Sequence, residues 1–272
     1  MWSKESGIKK KEYELNIFIS SGVRENINET VELAGRLETG IEVCKLSEPG
    51  ILDGNFDAVL AEFSDAFKNF AGKITLHGAF YDLNPVSKDS RIRDITIYRY
   101  NQSFKAAKAL GAKTAVFHTG YNGMVKYPVF LEKFIESQII FWKEFIKRFE
   151  DEGITVVLEN TYEDVPDIIL AIVNGVNSPN LKICIDTGHI NVMSSLEIKD
   201  WIEKVGSKLH HMHLHNNSGC YDEHNSLLKG TINFNTVLET LRANNLNPDL
   251  TLEIFNFETA VESVKFLKEA KK

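Results

Sequence analysis

Imidazoles and carboxylates recur along this chain at spacings that would let them gather around a divalent cation. All eight histidines fall between His77 and His224. Most of them close a short apolar run: His77 after KITL, His118 after AVF, and His210, His211, His213 and His215 within LHHMHLH. Carboxylates close other runs in the same way, with Glu159 after TVVL, Asp186 after KICI and Glu253 after LTL. Two further pairs, Asp186-x-x-His189 and Asp222-x-His224, have spacings that let neighbouring loop residues converge on one ion. A satisfied structural group accounts for any one of these positions, but not for the set. Buried anions are costly unless paired or metal-bound, and few Arg or Lys stand nearby in the sequence. The neutralising charge must therefore come from bound cations. Nitrogen and oxygen donors without thiolate suit Zn²⁺ or Mn²⁺ better than Mg²⁺ or Ca²⁺.

Such residues act together only if the fold delivers them to one place. Eight apolar or β-branched runs read as strands: residues 14–20, 41–46, 73–80, 114–120, 155–160, 181–186, 209–216 and 250–255. Helical stretches lie between them, most clearly 92–110 and 129–151. The second carries Phe130, Phe134, Ile135, Ile139, Trp142, Phe145, Ile146 and Phe149 at the spacing of a buried stripe. Gly111 and Gly153 stand where these helices should stop. Eight strand–helix units predict an α/β protein of the (β/α)8 TIM-barrel type, one domain over residues 1–272. Continuous apolar strands agree, because parallel strands under helices are buried on both faces. The rival, a doubly wound open sheet, usually has a glycine-rich phosphate loop after its first strand, and ISSGVREN does not match one.

In a parallel barrel the strand C-termini share one face, where active sites are assembled. Side chains alternate along a strand, so His211, His213 and His215 share one side while His210 faces the helices. Cys184 shares the parity of Asp186 and should fill the interior one layer below it. The composition, 43% apolar and 25% charged, is that of an ordinary globular protein. Three widely spaced cysteines without a CxxC argue against a disulfide framework. The N-terminal stretch reads as neither signal peptide nor membrane anchor, so a cytoplasmic location is expected. A net charge of −7 lacks the basic footprint of a nucleic-acid binder, and Lys9-Lys10-Lys11 reads as a solvated run.

The ordered set HGAFYDLNP, VFHTGY, VLENT, CIDTGH, HLHNNSGCYDEHNSLLKGTI and LEIF resembles the xylose-isomerase-like barrel superfamily. That group includes sugar-phosphate isomerases and epimerases, inosose-processing enzymes and the endonuclease IV type of abasic-site nuclease. The resemblance implies a metal quartet of Glu159, Asp186, His213 and Glu253, with His215 the alternative third ligand. The nuclease branch implies His77 and His118 for a second ion, and His189, Asp222 and His224 for a third. One to three ions of Zn²⁺ or Mn²⁺ per chain are thus expected. The nuclease pattern has Cys in place of Gly188, Asn-Asp in place of His215-Asn216, and Gly-Glu in place of Leu228-Lys229. No Arg occurs between His213 and Leu241 to hold a free ketose.

Three functions follow as expectations. The first is metal-dependent isomerisation or epimerisation of a small sugar, sugar acid or sugar phosphate. Glu159 and Glu253 would be the bases, and His189, His215 and Lys229 would contact substrate. The second is hydrolysis at abasic DNA by a trinuclear zinc centre, although nucleic acid is not the expected partner. The third is a non-catalytic metal- or sugar-binding barrel. Substrate identity and oligomeric state stay open.

Overall fold

A computed structural model describes residues 15–125 and 127–270. The ends of the 1–272 domain, with Glu14 and the lysine run, lie outside the described residues. Eight parallel strands close on themselves in sequence order: β1 (Asn16–Ser20), β2 (Gly40–Val43), β3 (Ile74–His77), β4 (Thr114–His118), β5 (Thr155–Glu159), β6 (Leu181–Asp186), β7 (Leu209–Leu214) and β8 (Asp249–Leu252). β1 pairs with both β2 and β8, so the sheet has no edge. This is a single-domain TIM barrel.

Each expected strand is present, mostly trimmed at its C-terminal end. The trimmed residues open the loops that follow the strands. Helices follow every strand, from Ile27–Leu37 after β1 to Phe257–Glu269 after β8. The helix Ser90–Leu110 stops at Gly111 (φ +67°), whose left-handed backbone lets its N–H reach back to Ala107 and Lys108. The stretch expected to be one helix over 129–151 is Pro128–Phe145 followed by Lys147–Asp151, joined through Ile146. Its apolar stripe is buried as expected, with Trp142, Phe145 and Phe149 packing around Tyr100 and Phe117 on the outer face of β4. No helix among the described residues is long and apolar enough to cross a membrane.

Inside the barrel, Cys184 packs with Val116 and Val157, one layer below the strand ends, as its parity predicts. His210 departs from expectation. The β6–β7 register jumps so that Ile183 faces Leu209 while Cys184 faces His211, leaving His210 as an extra residue in β7. A bulge of this kind re-aims a side chain. His210 Nε2 therefore lies 3.3 Å from Thr114 Oγ1, in a cavity of about 470 Å³ at the N-terminal end of the barrel, rather than against the helices.

Candidate metal centre

Six strands bring their ends to one point. His77, His118, Glu159 and Asp186 are the last residues of β3, β4, β5 and β6; His213 is the penultimate residue of β7, and Glu253 directly follows β8. One atom each from Glu159, Asp186, His213 and Glu253 lie mutually within 4.8 Å, and so do atoms of His77, His118 and Glu159. Glu159 joins the two sets. Its Oε2 is 3.3 Å from His77 Nε2 and 3.2 Å from His118 Nε2, and its Oε1 is 3.1 Å from His213 Nδ1 and 3.4 Å from His189 Nδ1. A third group meets at Asp222, whose Oδ2 is 3.3 Å from His189 Nε2 and 3.1 Å from His224 Nε2.

Local structure explains how the loop residues arrive. Asp186 is the N-cap of the helix Thr187–Met193: its Oδ1 accepts from the backbone N–H of His189 at 2.7 Å. The D-x-x-H spacing is that cap, and it leaves Oδ2 to face His215 and His213. Asn216 braces the loop after β7, donating to the carbonyls of Leu227 and Ile232 and accepting from the backbone N–H of Ile232. That loop carries Asp222 and His224.

The ring orientations suit cation binding. His77 Nδ1 is 2.9 Å from the Gly78 carbonyl, His189 Nδ1 is 2.8 Å from that of Asn160, and His224 Nδ1 is 2.8 Å from that of Glu253. A carbonyl can only accept, so in each neutral ring the proton sits on Nδ1 and the Nε2 lone pair faces the carboxylates. Conversely, both Glu159 oxygens, His118 Nε2 and His213 Nδ1 are buried and close together, yet have no aligned hydrogen-bond partner among the described residues. Buried polar atoms are rarely left so. Donors crowded at such distances without hydrogen-bond alignment are what a shared cation would satisfy, and the residues fit divalent metal.

The remaining expected residues fall as follows. Of the two strand-7 candidates, His213 groups with Glu159, Asp186 and Glu253, whereas His215 groups with His224 and Glu253. His215 Nε2 is 3.1 Å from Asp186 Oδ2, and its ring stacks on His224 at 3.9 Å. Lys229 is exposed on the loop after β7, beside Glu223. His211 lies deeper, against Glu42 and Thr251 at 2.9 Å each. Glu42 itself was missed by sequence reasoning, as were buried Asn160 and Glu163. The available signal was a lone carboxylate inside the apolar run IEVC, at inward parity.

Without a metal, protons balance these charges. Burial opposes ionising Asp186, but His189 and His215 beside it hold its carboxyl down at about 2. Burial likewise opposes charging His224, yet its hydrogen bond to Asp222 and the Glu253 charge hold it up at about 9. His189 and His213 are raised well above their ordinary value against the same opposition, chiefly by Asp186 for the former and by Glu159, Glu42 and Glu253 for the latter. The raised imidazoles contribute stability that is complete below about pH 6.5 and is lost as pH rises through about 9. The lowered Asp186 contributes above about pH 4 and loses its share as pH falls through about 2. Ion-free protein should therefore melt highest near pH 5–6 and progressively lower towards pH 9. Zn²⁺ must displace these protons, so its stabilising effect should grow over the same rise. Thermal melts across pH with and without Zn²⁺ check this; a Zn²⁺ effect that shrinks as pH rises would contradict it.

The profile of the xylose isomerase-like TIM barrel family matches residues 37–270. The chain belongs to that family. Uncharacterized protein MJ1311 of Methanocaldococcus jannaschii is 31% identical over 204 residues, which span 72% of this chain and 69% of that protein. Among solved structures, a D-tagatose 3-epimerase-like protein superposes with a TM-score of 0.79 at 26% identity, covering 94% of this chain and 97% of its own. The TTHB071 protein of Thermus thermophilus, from a crystal soaked with ZnCl₂, gives a TM-score of 0.76 at 25% identity over 94% and 97% of the two chains.

Proposed function

We propose that this barrel is a divalent-metal-dependent sugar isomerase or epimerase. The observation that carries the reading is the convergence of Glu159 and Glu253, from strands β5 and β8, with Asp186 and His213. A Zn²⁺ or Mn²⁺ held by these four residues would polarise a substrate carbonyl and hydroxyl and lower the energy of an enediolate. Glu159 and Glu253 approach the centre from different staves of the barrel, so one can take a proton from carbon while the other returns it. His189, anchored through Nδ1 to the Asn160 carbonyl, would bind a substrate hydroxyl, with the His215 ring beside it. Lys229 on the rim would serve an anionic substituent.

Purified protein supplied with Mn²⁺ or Zn²⁺ should exchange a substrate C–H for deuterium in D₂O with at least one member of a ketose and aldose panel. Metal-loaded protein that exchanges none of them would sink the proposal.

A second reading rests on the two outer donor sets, His77–His118–Glu159 and His189–Asp222–His224. A single ion does not need them. Three tightly bound zinc ions together with incision of an abasic duplex would favour phosphodiester hydrolysis; one exchangeable ion and no incision would exclude it.

A further inference from the structure

Glu42 lies in the barrel interior beneath the candidate centre, with no exposed surface. Donors from three other strands surround its carboxylate. Oε2 accepts from Thr75 Oγ1 on β3 at 3.0 Å, from Thr251 Oγ1 on β8 at 3.0 Å and from His211 Nε2 on β7 at 2.9 Å. Oε1 lies 2.9 Å from His213 Nε2, an ion-pair contact without hydrogen-bond alignment, so the carboxylate acts on that nitrogen through its charge. The other nitrogen of that ring, Nδ1, faces Glu159 Oε1 at 3.1 Å and Glu253 Oε2 at 3.4 Å.

We propose that Glu42 is a positioning residue for the metal quartet: its carboxylate keeps the His213 proton on Nε2 and so makes Nδ1 the atom offered to the ion. The inference rests on the metal-binding reading above and adds the residue that prepares its imidazole ligand. A neutral imidazole carries one proton. An ionised carboxylate can only accept one, so the nitrogen beside Glu42 keeps it and the opposite nitrogen is bare. The buried negative charge also makes Nδ1 a stronger donor, as carboxylates behind ligating histidines do.

A purely structural role fits less well. Barrel interiors are filled mainly by branched apolar side chains, and a buried ion pair is often matched or bettered in stability by apolar residues of similar volume. Thr75, Thr251 and His211 all hold the Oε2 end, which stops the carboxylate rotating and leaves Oε1 for His213.

The test is Glu42→Gln, which keeps the volume and an acceptor oxygen but removes the charge. Zn²⁺ affinity is read by competition with a chromophoric chelator, and ligand geometry by the visible spectrum of the Co²⁺-loaded protein. The tightest site should weaken by about 10- to 100-fold, with an altered Co²⁺ spectrum. Thr75→Val with Thr251→Val removes two of the donors that orient Glu42, and a smaller loss in the same direction is expected. If Glu42→Gln fails to fold, this pair decides alone. Unchanged affinity and spectrum in the folded variants would overturn the proposal while leaving the proposed function standing. Wild-type protein that binds no ion at all would overturn both.

Discussion

Replacing Glu159 by glutamine should lower turnover by about 100- to 10,000-fold, the range expected when a positioned proton-transfer group is lost, and should reduce bound metal as well. No other side chain touches so much of the centre. Its two oxygens contact His77, His118, His189 and His213 within 3.4 Å, and the side chain is fully buried. Burial opposes its ionisation, yet His213 and His118 hold it well below the ordinary carboxylate range. A neutral amide at that position offers one acceptor where two anionic oxygens stood. It also removes the negative charge that faces His77, His118, His189 and His213. Deuterium exchange into substrate and metal analysis of the purified variant measure the two effects. Exchange within tenfold of the parent, at full metal loading, would remove Glu159 from the chemistry.

Gly188→Ala should be strongly destabilising despite its small size. A Cβ at residue 188 would fall 1.9 Å from His215 Cε1 and 2.5 Å from both ring nitrogens. The ring has little room to yield. It is fully buried, stacks on His224 at 3.9 Å and contacts Asp186 Oδ2 at 3.1 Å. Overpacking of a filled interior costs about 1–3 kcal/mol, which for a chain of this size lowers the melting temperature by roughly 2–10 °C. The displaced His215 would also leave Asp186 without its imidazole partner. A calorimetric midpoint within about 1 °C of the parent would contradict the packing argument. Glycine here is a matter of room, not of backbone strain.

Gly188 and His215 also show how far the residues alone could be read. Both were visible as separate departures from the nuclease pattern, twenty-seven positions apart in the chain. In space they are one feature, an imidazole occupying the notch that a missing side chain leaves. Strand count, order and the inward parity of Cys184 were legible, because alternation and apolar runs are local properties. So was the gathering of Glu159, Asp186, His213 and Glu253, since each sits at a strand's C-terminal end. His210 was misplaced because a bulge is an insertion in the pairing, and one strand read alone does not reveal its register. Glu42 was passed over for a similar reason. A single acid in IEVC carries no pattern, and its meaning comes from Thr75, His211, His213 and Thr251 on three other strands.

His77, His189 and His224 each rest their Nδ1 on a main-chain carbonyl. Every amino acid supplies that oxygen, so mutation of the supporting residue need not disturb the ring it steadies. Drift in the surrounding loops can then proceed while these three donors keep their aim. Lineages that share little beyond the donors could retain the same coordination geometry while recasting the pocket for new substrates.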